Sequence, residues 1–427
     1  MKNDIMPEPL IHNKFIFRNV QIIDTESIWN GRIGNLVIEN GLIRDFLPSN
    51  EPISDDIPQW KIDGYSISTG WVDSRVSGIK SIDDFLSSAL KGGFTDVFYY
   101  PQLPIPSEEP SYIEGLNQKF NTQVIDIHLI LPLTQLGKGI SIAPYSSLNS
   151  HWFGDGLNPV LPEILLRALQ YQKSLANNLL IESPQYPQLT AGSYAHEGYT
   201  QSKLGLPASP AFVEPLAVHR SITLLQHSGG NLLLGPISLP ETLREVLIAQ
   251  QRLSPQSTLS AEVSVPYLCF NDESLMTLNP AFKLTPPLRD DFSIEKMRQM
   301  IVENPTVILS SGHQTMPSEN KKLPFFDALG GLQLAPWAVP LSYAALGEKL
   351  PIDIFLKMVT TIPRKVFGLP EIKIEKGFPA KLTVFKQEKI EQNYSPASLL
   401  QNFPGFNTLN LPISVKATLN NQNFTRI

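Results

Sequence analysis

The sequence predicts an α/β fold, in which βα units build a parallel sheet or barrel beside a small β domain made from both ends of the chain. Three observations lead there. Residues 1–65 carry short apolar runs and a hairpin signal, residues 66–368 alternate strand-like runs with stretches long enough for helices, and strand-like runs resume in residues 369–427.

The opening strands are read from Phe15-Ile16-Phe17, Val20-Gln21-Ile22-Ile23 and Asn35-Leu36-Val37-Ile38-Glu39. Asn40-Gly41 follows, a pair that tolerates the positive φ of a tight turn, so Leu42-Ile43-Arg44-Asp45-Phe46 is read as the returning strand. In the middle, apolar runs at Thr95–Tyr100, Val124–Leu131, Asn178–Ile181, Asn231–Leu234, Leu259–Val263 and Thr306–Leu309 leave room for intervening helices. Asp83-Asp84 opens the apolar run Phe85–Leu90 and reads as a helix start, because acids are favoured at the positive end of a helix. Lys381-Leu382-Thr383-Val384-Phe385 is the clearest late strand, and the tail from Asn410 alternates again. Pro101–Pro110 reads as a loop, since proline interrupts helices and ladders alike.

A chain of 427 residues that is 42% hydrophobic can bury a large core. Its formal charge of -6 supplies no basic field for phosphates, which argues against a nucleic-acid partner. Cys269 is the single cysteine, so an intrachain disulfide or cysteine-rich metal site is ruled out and a reducing cytoplasm is expected. The start, Met1-Lys2-Asn3-Asp4-Ile5-Met6-Pro7, lacks an apolar signal core, and no apolar run approaches the length of a membrane span, so neither export nor a membrane location is expected.

Several ordered stretches resemble the bacterial dihydroorotases and the related allantoinases and hydantoinases of the amidohydrolase superfamily. They include Gly70-Trp71-Val72-Asp73, Gly92-Gly93-Phe94-Thr95-Asp96-Val97, Thr134-Gln135-Leu136-Gly137-Lys138-Gly139 and, longest, Ala191-Gly192-Ser193-Tyr194-Ala195-His196-Glu197-Gly198. Glu214-Pro215-Leu216-Ala217-Val218-His219-Arg220, Pro286-Pro287-Leu288-Arg289 and Val366-Phe367-Gly368-Leu369-Pro370 extend the resemblance toward the end. It implies a (β/α)8 TIM-like barrel over 66–368, with a small β-sandwich domain built from 1–65 and 369–427.

The resemblance also implies a chemistry, in which one or two metal ions, zinc in this family, activate water while a carboxylate moves the proton. The residues at the corresponding positions cannot do that work. The His-x-His pair after strand one falls on Arg75 and Ser77, the histidine after strand six on Pro236, and the Pro-His-His after strand seven on Pro266-Tyr267. The metal-bound aspartate of strand eight falls on Ser311, with His313 two residues on. A guanidinium is permanently charged, and proline has no side-chain donor. Substrate-contacting positions fall on Ile79, Gln102 and Ile362-Pro363. Asp155, in His151-Trp152-Phe153-Gly154-Asp155-Gly156, corresponds to a bridging aspartate of one subgroup.

The seven histidines, His12, His128, His151, His196, His219, His227 and His313, form no His-x-His pair. Arg75, Asp155 and His313 are therefore the cleft candidates, with no catalytic or metal-ligating residue assigned. Arg75 fits either an anionic ligand or a structural ion pair. The expected function is a dihydroorotase-like protein of the pyrimidine pathway, catalytically inactive and kept for assembly or regulation. Inactive dihydroorotase-like chains are structural partners of aspartate carbamoyltransferase, which makes that enzyme the first expected partner, and a homodimer is expected from the family. Two alternatives stand beside this reading: an active cyclic-amide hydrolase with a metal site rebuilt from His151, Asp155 and His313, and a metal-free protein binding a small anion in the cleft.

Overall fold

The computed structural model describes residues 14–427 apart from 80, 102–108, 122–123, 145–149, 173–177, 191, 316–318, 320–322, 348, 394–407 and 422. His12, Gln102 and Ala191 lie outside the described residues.

The N-terminal segment supplies β1 (Lys14–Ile22), β2 (Ile33–Glu39), β3 (Leu42–Pro48), β4 (Gln59–Lys61) and β5 (Ser66–Thr69). The barrel strands are β6 (Trp71–Ser77), β7 (Phe94–Tyr100), β8 (Asp126–Leu129), β9 (Trp152–Phe153) and β10 (Leu179–Glu182), continued below. A small pair, β11 (Ala195–His196) and β12 (Ala208–Ser209), lies in the following loop, before the barrel resumes with β13 (Asn231–Leu234), β14 (Thr258–Ser264) and β15 (Ile308–Ser310). Then come β16 (His313–Gln314), β17 (Lys381–Asn393), β18 (Thr408–Asn420) and β19 (Asn423–Arg426).

Both chain ends share one sheet, in the order β19-β18-β17-β5-β1-β2-β3 with β4 on β1. The sheet curls on itself: Phe424 of β19 approaches Phe15 and Phe17 of β1, four strands away, with ring centroids 5.8 and 5.9 Å apart. The enclosed core takes Leu36 and Ile38 from one end of the chain and Leu382, Val384 and Leu419 from the other. At the β2–β3 turn Asn40 and Gly41 adopt φ of 53° and 75°, as a hairpin of this type demands.

The remaining strands make a barrel. β6, β7 and β8 pair in parallel, and Leu131 bridges from the end of β8 to Phe153 of β9. β9, β10, β13, β14 and β15 pair in parallel in turn, and β15 packs back against β6. Among the described residues, eight parallel strands thus close the ring. Leu180, Leu232, Leu234, Ala261 and Val263 face outward into the main core shared with the helices. Their alternates face inward, where Val72, Phe98, Ile181, Leu233 and Ile308 fill the barrel, and the Phe367 ring stacks on Phe98 at 3.8 Å. Ser81 caps the helix Ile82–Lys91 by accepting from the Asp84 N–H, with Asp83 and Asp84 in its first turn.

At the N-terminal end of the barrel, Asp96 of β7 is buried beside two cations and an imidazole. Its carboxylate accepts from Lys381 Nζ at 2.8 Å and from Arg364, and meets His128 Nε2 at 3.1 Å. Burial works against its charge, but the His128 hydrogen bond and the Arg364 and Lys381 charges win and hold the carboxyl far below the usual range. Lys381 begins β17, so this cluster ties the barrel to the sheet domain. Asp96→Asn is expected to destabilise the fold by roughly 3–5 kcal/mol, the cost of leaving buried charges unpaired. Asp126→Asn, at a partner of Lys381 whose side chain is 42% exposed, should cost under about 1 kcal/mol. Urea titration at neutral pH compares the two.

Candidate functional site

In α/β barrels the chemistry sits where the strands end on the C-terminal side. Along β14, Leu259, Ala261 and Val263 belong to the outer core, so the intervening Glu262 and Ser264 turn into the barrel mouth. β6 is irregular between Asp73 and Val76, and Arg75 comes off this irregularity toward the same point.

The two charges form a forked, buried pair. Arg75 Nε donates to Glu262 Oε1 at 2.7 Å and Nη2 to Oε2 at 3.2 Å, while Nη2 also reaches the Gly235 carbonyl at 2.8 Å. Arg75 is 7% exposed and Glu262 fully buried. Ser310 donates to Glu262 Oε1 at 2.6 Å, its hydroxyl lies 2.8 Å from that of Ser264, and the guanidinium sits 4.8 Å from the Tyr100 ring centre. Gly235 is required here by space, because a Cβ would fall 2.6 Å from that of Glu262. Burial disfavours the guanidinium's charge, but the Glu262 carboxylate more than offsets this and keeps it protonated. Burial pushes the Tyr100 phenol up.

Beneath the pair, Asp73 Oδ1 accepts from the backbone N–H of Ser311 at 2.9 Å and of Arg75 at 3.3 Å. Its Oδ2 is buried without a partner, and burial pushes the carboxyl up to about 7 against the hydrogen bonds from Ser311 and Arg75.

A cavity of about 530 Å³ opens above this floor. Its walls include Arg75, Ser77, Asp155, Pro236 and Pro266, so it occupies the place where the resemblance puts the metal ligands. A zinc ion does not fit this donor set: the mouth presents a cation closed on the Glu262 carboxylate, a hydroxyl, two prolines and Asp155, whose oxygens are held by Thr134. Among the described residues no group of three or more His, Cys, Asp or Glu side chains is arranged to hold a metal ion.

The other two candidates serve the scaffold. Asp155 accepts from the Thr134 backbone N–H at 3.0 Å and from the Thr134 hydroxyl, pinning the loop after the third barrel strand. His313 turns away from the cavity: Nδ1 accepts from the Ala335 N–H at 3.2 Å, Nε2 meets the Thr315 hydroxyl at 3.2 Å, and the ring packs edge-on against Phe85. Burial pushes its pKa down to about 4. His151 is exposed and meets Asn178, so the three residues of a rebuilt metal site are not brought together. Asp83 and Asp84 stay at their helix start, outside the mouth. Sequence reasoning left the acid opposite Arg75 unidentified. The available signal was Glu262 itself, a charge inside an apolar strand, which demands a buried partner.

A second buried pair supports the wall. Arg289 donates to Ser238 Oγ at 2.9 Å and to Glu214 Oε2 at 3.2 Å, and Glu214 Oε1 takes the N–H groups of Ser238 and Leu239 at 3.0 Å each. These residues fix the loop that follows Pro236.

The barrel with its curled sheet is a fold that the chain shares with several solved structures. The chain resembles in fold the L-hydantoinase of Arthrobacter aurescens, with a TM-score of 0.78 at 16% identity, covering 96% of each chain. It likewise resembles the dihydropyrimidinase of Brevibacillus agri, at 0.77 and 15%, covering 96% of this chain and 94% of the other. In sequence it is dihydroorotase-like. It is 25% identical over 393 residues to the dihydroorotase of Deinococcus radiodurans, covering 88% of this chain and 91% of that one, and 26% identical over 370 residues to that of Carboxydothermus hydrogenoformans, covering 82% and 83%. No protein-family model matches the chain.

Arg75→Met alone should cost roughly 3–5 kcal/mol by stranding Glu262, whereas Arg75→Met with Glu262→Met should cost far less than the two single changes together. Chemical denaturation of the double-mutant cycle reads the coupling. Stability should also depend on pH in two opposed ways. His313 falls from an unfolded 6.5 to about 4, so its contribution is full above 6.5 and is lost as pH drops toward 4. Asp73 rises from 3.8 to about 7, so its contribution is full below 3.8 and is lost as pH climbs toward 7. Stability measured from pH 4 to 8 should therefore improve for Asp73→Asn relative to the wild type as pH rises, and for His313→Phe as pH falls.

Proposed function

We propose that this chain is a non-hydrolytic dihydroorotase-like protein that works without zinc, retained in the pyrimidine pathway for assembly or regulation. The observation that carries this reading is the Arg75–Glu262 pair at the barrel mouth, which puts a neutralised cation where metal-activated water would have to form. Ser311, at the position of the proton-moving aspartate, is fully buried with its backbone N–H on Asp73, and a serine of ordinary acidity is no general base.

The partner proposed is aspartate carbamoyltransferase, with self-association as a homodimer and residence in the cytoplasm. Among the described residues no helix is long and apolar enough to cross a membrane. The similarity to proteins named dihydroorotase supports the choice of pathway.

Elemental analysis and a dihydroorotate hydrolysis assay on the purified chain test the first part. The expected result is metal well below one equivalent and no turnover above the uncatalysed rate, and stoichiometric zinc with turnover would sink it. Sedimentation of the chain with aspartate carbamoyltransferase at micromolar concentration tests the second. A shared boundary is expected, and independent sedimentation of the two removes the scaffold role.

A further inference from the structure

The mouth is a largely apolar cavity with a few polar groups that have no protein partner. Arg75 spends Nε and Nη2 on Glu262 and Gly235, and its Nη1 has no hydrogen-bond partner among the described residues although the side chain is more than nine-tenths buried. The half-buried Gln314 side chain, also on the cavity wall, likewise makes no hydrogen bond among the described residues, and the buried Tyr100 hydroxyl has none. Arg75 Nη1 and the Gln314 carboxamide are thus free to pair with a ligand that carries matching groups.

Charge selects the kind of ligand. Among the described wall residues Arg75 is the only cation and Asp155 the only acid, and Glu262 lies directly against Arg75. One positive group thus stands against two acidic ones, and the guanidinium fork is already closed on a carboxylate. A carboxylate or phosphate entering here would be desolvated with no free cation to meet it. An amide suffers no such penalty: its carbonyl accepts from Arg75 Nη1, its N–H is matched by the carboxamide oxygen of Gln314, and Tyr100, Pro236 and Pro266 supply apolar contact.

We propose that the barrel mouth is a metal-free binding site that takes a small uncharged amide or urea and rejects the corresponding carboxylate. The inference rests on the reading of the mouth as having no metal, and it replaces the expectation of a small anionic ligand.

Ligand-observed NMR titration of the full chain with three matched pairs tests it: nicotinamide and nicotinate, benzamide and benzoate, dihydrouracil and dihydroorotate. Within each pair the uncharged member should bind at least about tenfold more tightly. Gln314→Leu should weaken that binding by about fivefold with an unchanged thermal midpoint, and Arg75→Lys, which keeps a cation for Glu262 but loses Nη1, should weaken it as well. Equal or tighter binding of the acids, saturable binding by neither member, or indifference to Gln314→Leu each overturns the proposal. The same samples are assayed for ring opening of the two dihydropyrimidines. An uncharged ligand that binds and is hydrolysed upholds the charge selectivity and removes the non-hydrolytic reading, whereas preference for dihydroorotate without hydrolysis does the reverse.

Discussion

A carboxylate and a guanidinium buried at the mouth of a barrel set the terms for everything around them. Removing each from water costs several kcal/mol, and mutual attraction recovers this only when geometry is good and the leftover hydrogen-bonding groups are served. Here the fork is served by Gly235 and the carboxylate by Ser310, with Ser264 behind it. Those partners come from the ends of four strands: Arg75 from β6, Gly235 just beyond β13, Glu262 and Ser264 from β14, and Ser310 from β15. The pair therefore needs the closed barrel, and the barrel mouth takes its shape from the pair.

The opposite end of the barrel solves a similar problem with another outcome. Asp96 gathers Arg364, Lys381 and the His128 ring, so one acid answers two cations and an imidazole and ties the sheet domain to the barrel. The apolar layer around Phe98, Leu233 and Ile308 lies between the two ends. Scaffold and mouth can consequently change independently, which is how a chain with hydantoinase-like architecture can carry a mouth with none of the imidazoles its resemblance leads one to expect.

Most of the architecture was legible in the sequence because it is written locally. The Asn40-Gly41 turn, the acidic helix start at Asp83-Asp84 and the apolar barrel runs each span only a few residues. The fourth barrel strand escaped, since Trp152–Phe153 is two residues long and too short to show any period. The site was half legible. Family spacing put Arg75 at the mouth, but its partner lies 187 residues away, and no local pattern encodes which buried acid meets which base. Asp155 and His313 were singled out by their place in the family spacing, yet each is satisfied by its own neighbourhood, Thr134 in one case and Ala335 with Thr315 in the other.

The same coupling bears on whether a hydrolytic centre lies within easy reach. Changing Arg75 to histidine supplies one imidazole but strands Glu262, fully buried, without its counter-charge. Changing Ser311 to aspartate adds an acid beside Asp73, whose carboxyl is already pushed up to about 7 by burial. Pro236 and Pro266 would need replacing as well, each at a bend whose backbone is held by neighbours, Ile237 N–H on the Glu262 carbonyl and Val265 N–H on that of Ser310. Every single step toward a metal site thus creates an unpaired buried charge or leaves the donor set short of three ligands. Arg75 and Glu262 would have to be exchanged together, because replacing either one alone leaves the other buried without its counter-charge.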